Sequence, residues 1–454
     1  MTMAVRPDSL IDVIDHIADN TLYYQQDLRV PMTSLTIVFH GAGFQQEPVR
    51  HPSAGSGKST ELMGLARITA KTLFRGTPTM TREMIAKELE LLGASVETHV
   101  SETDFFISIW CFSRNLEKVL NLVATVIAQA NFSEAELATV KRQEFNNMEA
   151  ALQEPDRVLA ASHEYVVYGM NSYGKFGSRA AIDRITRNEV KTFFSNVRAA
   201  RVVFFTVISD LSRSDIERQL QFFSSNRIRD GFQLKPEREF LNAQGYEAII
   251  VDSPRATNDR LRWSQRGIAA TDDRRFDLNL IIDALGGFEG FIFDQLRNQR
   301  GWCYGAYVSV IPATTRPGRI AYYADPAAEN SDKLIPEMLR LINVFSGEKD
   351  FQQRLSERNG TFKNRYAYQL DIKKKLWNDV NRDRYGVPIL DREEYNKRID
   401  AITLNTAQQV IKEVFDPKNM TMVFYGDAER MQKILGKVDP KMKMTVLEKE
   451  VLVR

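Results

Sequence analysis

The sequence predicts an α+β protein made of two homologous halves, each an α/β sandwich of mixed or antiparallel sheet covered by helices. A linker joins them as a clam-shell. Three observations carry this expectation. The chain has 454 residues, more than one hydrophobic core organises. A segment ending at Asp210 recurs, at a constant offset of 217, in a segment ending at Asp427. Helical and alternating patterns also follow one another in the order of layered α+β folds.

In the repeat, Ile182 meets Ile399, Asp183 meets Asp400, Thr186 meets Thr403 and Asn188 meets Asn405. Each Thr is a suitable N-cap for the helix that follows. Val190, Phe193, Phe194 and Val197 fall at helical spacing in one copy, and Ala407, Val410, Ile411 and Val414 in the other. Each helix runs into an alternating strand, RVVFFTVISD or NMTMVFYGD.

Residues 33–43 form a strand, and GLARITAKTLFRG a helix closing at Gly76. Thr81 caps a second helix that buries Ile85, Leu89 and Leu92 and stops at Gly93. A hairpin spans 94–113, and LEKVLNLVATVIAQ is a long amphipathic helix. In the second half, RRFDLNLIIDALGG is a helix, 304–325 a hairpin and DKLIPEMLRLINVF the counterpart of the long helix. The halves are placed at residues 1–224 and 246–454, with the polar stretch 225–245 as linker.

Composition removes several classes. With 61 Lys+Arg against 59 Asp+Glu, the net charge of +2 supplies no global basic field for nucleic acid or an anionic membrane. The longest apolar run, around Val202–Ile208, is far short of the roughly 20 residues of a membrane helix. Two cysteines, Cys111 and Cys303, exclude a disulfide framework and a thiolate metal cage. The N-terminus lacks an apolar signal core, so the expected compartment is cytoplasmic, or periplasmic or organellar if the chain is a processed form.

Two motifs fail on inspection. GSGKST at 55–60 resembles a phosphate loop, but Pro52 stands where the first glycine is required and a loop precedes it. The five histidines, His16, His40, His51, His99 and His163, are never within five positions of one another, so no paired-histidine metal helix can be drawn. His163 with Glu164 reads as a helix pair, at the surface or packed.

The run GLARITAKTLFRGTPT resembles the opening of the pitrilysin/insulinase peptidases, the inverzincins, in which the segment reads G-L-A-H-x-x-E-H-x-x-F-x-G-T. Gly64, Leu65, Ala66, Phe74, Gly76 and Thr77 match. The zinc chemistry does not: Arg67 replaces the first His, Ala70 the catalytic Glu and Lys71 the second His. Counting back from Glu154-Pro155-Asp156 places Asn147 at the third ligand, with Glu144 and Glu149 out of register. Gly93–Thr98 also lacks the Asn of the family's cleft strand. Arg67 and Lys71 share one helix face, and neither side chain is a metal ligand at neutral pH. Two unit charges 4 Å apart interact by about 4 kcal/mol at an effective dielectric of about 20, so zinc would meet roughly twice that from each cation. No cofactor is expected in this chain.

In the second half, LRNQRGWCYGAY resembles the segment whose Arg and Tyr, seven apart, reach the zinc site of an opposite half or subunit; here these are Arg297 and Tyr304. The resemblance implies that the Arg holds peptide and the Tyr donates to the tetrahedral oxyanion. The plain alternative pairs Arg297 with Asp294 and packs Tyr304 in the sheet. The resemblance thus implies a non-catalytic subunit of a heterodimeric zinc peptidase, inert alone. Its partner would be a homologue carrying H-x-x-E-H and the zinc, and its substrate a peptide. The competing expectations are a peptide-binding or structural scaffold like the core proteins of the bc1 complex, and an active enzyme with unorthodox ligands.

Overall fold

The computed structural model of the chain describes residues 13–17, 20–47, 62–169, 176–199, 202–224, 241–313, 316–369 and 371–454. The GSGKST segment and residues 225–240 of the expected linker lie outside them. Strands β1 (Val13–Ile17), β2 (Asn20–Gln26), β3 (Met32–His40), β4 (Ser95–Val100), β5 (Asp104–Phe112) and β6 (Val202–Ser209) form one sheet in the order β1-β2-β6-β3-β5-β4. Strands β7 (Tyr246–Asp252), β8 (Arg260–Arg266), β9 (Cys303–Ile311), β10 (Arg319–Pro326), β11 (Met420–Gly426) and β12 (Lys443–Leu447) form the other, ordered β12-β7-β11-β8-β10-β9. In both, one parallel pair (β2 with β6, β7 with β11) is followed by three antiparallel pairings ending at an edge strand, β4 or β9. The sixth strands differ: β1 is antiparallel to β2, whereas β12 is parallel to β7.

The first half carries helices α1 (Leu65–Leu73), α2 (Arg82–Leu91), α3 (Leu116–Gln129), α4 (Glu134–Ala151), α5 (Pro155–Val167), α6 (Arg179–Arg184), α7 (Arg187–Arg198) and α8 (Arg213–Ser224). The second carries α9 (Arg275–Gly286), the single turn α10 (Phe291–Phe293), α11 (Ser331–Val344), α12 (Phe351–Gln369), α13 (Ile372–Tyr385), α14 (Arg392–Asp400), α15 (Leu404–Val414) and α16 (Ala428–Val438). Thr186 and Thr403 each close a capping box, with Glu189 and Thr406 as the reciprocal partners, and Thr81 accepts from the Met84 amide. The offset of 217 that relates these caps also carries the first residue of α4, Glu134, to that of α12, Phe351. It likewise carries Pro155 of α5 to Ile372 of α13.

Each sheet has one face on its own half's helices. Along β5, Phe105, Ile107, Ile109 and Cys111 enter that core. The opposite face is covered by a helix from the other half. Leu376 and Val380 of α13 lie on Tyr23, Val38, Phe106 and Phe204, with Trp377 edge-on to both phenylalanines at 6.3 and 6.4 Å. Reciprocally, Val158, Leu159, Tyr165 and Val166 of α5 pack with Ile249, Val251 and Val423. The halves therefore exchange equivalent helices.

Polar groups fix the α5 contact. His163, fully buried, bonds Ser264 Oγ through Nε2 at 2.8 Å, while Arg319 Nη1 lies 3.3 Å from Nδ1. Arginine only donates, so Nδ1 accepts and Nε2 carries the proton given to Ser264. Arg319 also grips both oxygens of Glu164, at 2.8 and 3.0 Å. The His163–Glu164 pair thus belongs to a joint between halves, a packed role rather than a surface one. Burial lowers the His163 pKa to about 4.

Candidate functional site

Helix α1 begins at Gly64, whose φ of 96° suits glycine. The buried Glu47 carboxylate accepts from the Gly64 and Ala66 amides at 3.0 and 2.7 Å, satisfying donors that a helix start leaves open. Leu65, Ala66, Ile68, Thr69 and Leu73 turn into the core, which leaves Arg67 and Lys71 on the exposed side. Ala70 is buried, and its carbonyl accepts from Thr98 Oγ1 of β4 at 2.7 Å. Thr98 ends the run in which the family's Asn is missing.

The two cations converge on Glu144 of α4. Arg67 Nε lies 2.8 Å from Oε2, and Lys71 Nζ donates to Oε1. Glu144 is 2% exposed, and Arg67 also donates to the Phe176 carbonyl at 2.7 Å. Asn147, selected by counting along the sequence, is exposed and, among the described residues, touches the cluster only through a 3.4 Å bond to Glu144. The side chain that meets α1 is Glu144. A signal for it was present: Leu137, Val140, Glu144 and Met148 form the buried stripe of α4, and a carboxylate on such a stripe demands cationic partners.

This arrangement does not fit a zinc ion. Its one carboxylate is engaged by two cations, the cluster carries a net positive charge, and neither guanidinium nor ammonium ligates metal. Among the described residues, no group of three or more His, Cys, Asp or Glu side chains is placed to hold a metal. His40 is held by Asp104 at 2.6 Å, and His99 stacks on Phe106 at 4.2 Å.

Arg297 and Tyr304 flank the start of edge strand β9. Gly286 ends α9 where a Cβ would sit 2.2 Å from Val308 Cγ2, so glycine permits the helix to lie on the strand. A π-turn, Asp294–Asn298, carries Arg297. Its Nη1 donates to the Tyr304 carbonyl at 2.5 Å and lies 3.3 Å from that of Cys303, with the guanidinium 4.8 Å from the Tyr304 ring centre. The plain alternative is not what forms. Asp294 is taken by Arg354 at 3.2 Å, and Tyr304 is 75% exposed. Among the described residues, Arg297 makes no ion pair and the Tyr304 hydroxyl no hydrogen bond. No hydrogen bond or ion pair among these residues links the pair to α1.

Residues 53–174 match the family model for insulinase, peptidase family M16, and residues 184–357 match that for the peptidase M16 inactive domain. An uncharacterized zinc protease of Rickettsia felis is 21% identical over 295 residues, 62% of this chain and 68% of that relative. Among solved structures, the peptidase M16 inactive domain from Pseudomonas fluorescens aligns with a TM-score of 0.77 at 21% identity, covering 92% of this chain and 98% of that one. The ferredoxin protease FusC, an E83A mutant solved in complex with Arabidopsis ferredoxin, aligns with a TM-score of 0.70 at 12% identity; 92% of this chain covers 46% of that one. The chain belongs to the M16 peptidase family, as a member that has lost the zinc motif. No helix among the described residues is long and apolar enough to cross a membrane.

Proposed function

We propose that this chain is the non-catalytic subunit of a heterodimeric zinc peptidase, presenting Arg297 and Tyr304 to the zinc site of a homologous partner that carries H-x-x-E-H. The observation that carries the reading is the contrast between the two sites. Arg67 and Lys71, standing at the positions of the lost zinc motif, are engaged with Glu144 in an ion cluster, whereas Arg297 and Tyr304 lie at a sheet edge with an exposed phenol. Glu144, rather than Asn147, then stands where the third ligand would be. The length of FusC supports the pairing, since a protein of this fold can join in one chain what two shorter chains would supply.

Here the chain's own residues act on peptide. The Arg297 guanidinium is held over the Tyr304 ring by the carbonyls of residues 303 and 304, so it is oriented without neutralisation and suits a peptide carbonyl or carboxylate. The Tyr304 phenol is a donor free to meet the oxyanion of a tetrahedral intermediate formed on the partner. The test is reconstitution with an H-x-x-E-H homologue and a quenched fluorescent peptide. The lone chain should cleave nothing, the pair should cleave, and Tyr304→Phe should lower kcat about 100-fold while the complex still co-elutes. Unchanged turnover would leave Tyr304 a packing residue. A pair that assembles without cleaving any peptide would favour the scaffold reading.

A further inference from the structure

A cavity of about 810 Å³ lies between α9, α12, α14 and the end of β9, and the exchanged helix α13 lines it together with residues 268–270 and 387–390. Helix α13 is two-faced. Leu376 and Val380 seal the first sheet, while Lys374, Asn378 and Asn381, at positions i, i+4 and i+7, line the cavity. The side chains of these three make no hydrogen bond or ion pair among the described residues. Arg275 faces the same space; its Nη1 donates to the Ala270 carbonyl, and among the described residues it forms no ion pair, the Asp273 carboxylate acting on it only through space. The one acidic lining residue, Asp283, is countered by Arg358 at 3.6 Å. Phe276, Trp377 and Tyr395 supply an aromatic wall.

We infer that this cavity binds the carboxyl-terminal end of a peptide whose last residue is large and apolar. Two cations that form no ion pair among the described residues match a terminal carboxylate. The aromatic wall matches the last side chain, and two carboxamides, each with donor and acceptor, match the preceding peptide groups. A fatty acid would satisfy the cations and the wall but leave the amides unmatched. The volume admits a few residues, within the range of small-ligand sites. The inference deepens the reading of this chain as a peptide-handling subunit. It requires neither the partner nor zinc, so reconstitution can fail while this binding stands, and the reverse.

The test is fluorescence polarisation of the full-length lone chain with a labelled hexapeptide ending in Phe, as free acid and as carboxamide. The acid should bind at least about 10-fold tighter than the amide, the worth of one charge-assisted hydrogen bond. Lys374→Gln, an exposed change that leaves the melting temperature intact, should remove about 10-fold of the acid's affinity and little of the amide's. Asn378→Trp should block the cavity and abolish binding of both. Equal binding of acid and amide, no saturable binding, or indifference to Lys374→Gln overturns the assignment. Dodecanoate binding tighter than the peptide overturns it as well.

Discussion

Glu144 shows how one residue can hold a site together after its chemistry has gone. Its carboxylate is buried, while Arg67 and Lys71 are 44% and 40% exposed. Glu144→Gln would remove the charge and leave two cations opposed. Breaking a buried pair costs about 3–5 kcal/mol, and solvent screening of the half-exposed cations reduces this to about 2. Urea unfolding should show that loss, and an unchanged midpoint would mean the cluster contributes nothing. The same geometry predicts a gain. Arg67→His with Lys71→His would place two imidazoles on one helix face beside Glu144, a three-ligand set for zinc. Equilibrium dialysis should find about one zinc per chain in the double variant, and far less once Glu144→Gln is added. No zinc in the double variant would show that Glu144 does not occupy the metal-facing position.

At the scale of elements, local signals were legible and cross-half ones were not. Thr81, Thr186 and Thr403 were readable as caps because an N-cap acts within its own first turn. Residues 116–129 follow apolar spacing from end to end and form α3 with those bounds. The α5–α13 exchange was illegible, because it is decided by which sheet face lies bare after both halves fold. Counting selected Asn147 over Glu144 because linear spacing carries no knowledge of which helix face meets α1. The α5 joint has a pH signature. An unfolded histidine titrates near 6.5, whereas buried His163 titrates at about 4. Between these values the unfolded chain binds the extra proton, so stability rises with pH and is lost as pH falls from 6.5 towards 4. The loss is roughly 3 kcal/mol. Asp379, raised by burial to about 6, acts in the opposite direction, since its contribution falls as pH rises. His163→Gln keeps an Nε2 donor for Ser264 and leaves Asp379 in place, so the difference between the two proteins isolates the histidine. Melting temperatures from pH 7 to 4.5 should fall less steeply in the variant; parallel curves would mean that His163 is protonated without cost.

For the whole molecule, the exchange makes the covalent link between halves dispensable once folding is complete. Separating them would bare Leu376, Val380, Val158, Leu159 and Val166 together with the faces they cover. At about 1.5–3 kcal/mol per buried aliphatic side chain, the loss is on the order of 10 kcal/mol, comparable with the whole stability of an ordinary domain. The Arg319–Glu164 and His163–Ser264 contacts would be lost as well. The polar composition of 225–245 marks it as the place to cut. Limited proteolysis should nick first there, and a site-specific protease sequence inserted in that stretch gives a controlled version. The two fragments should co-elute on size exclusion and melt together, parting only in denaturant. The same fragments expressed apart should aggregate, each carrying a helix whose apolar face has no sheet to cover. Fragments that separate under native conditions, or a first cut elsewhere, would contradict the exchange as the bond between halves.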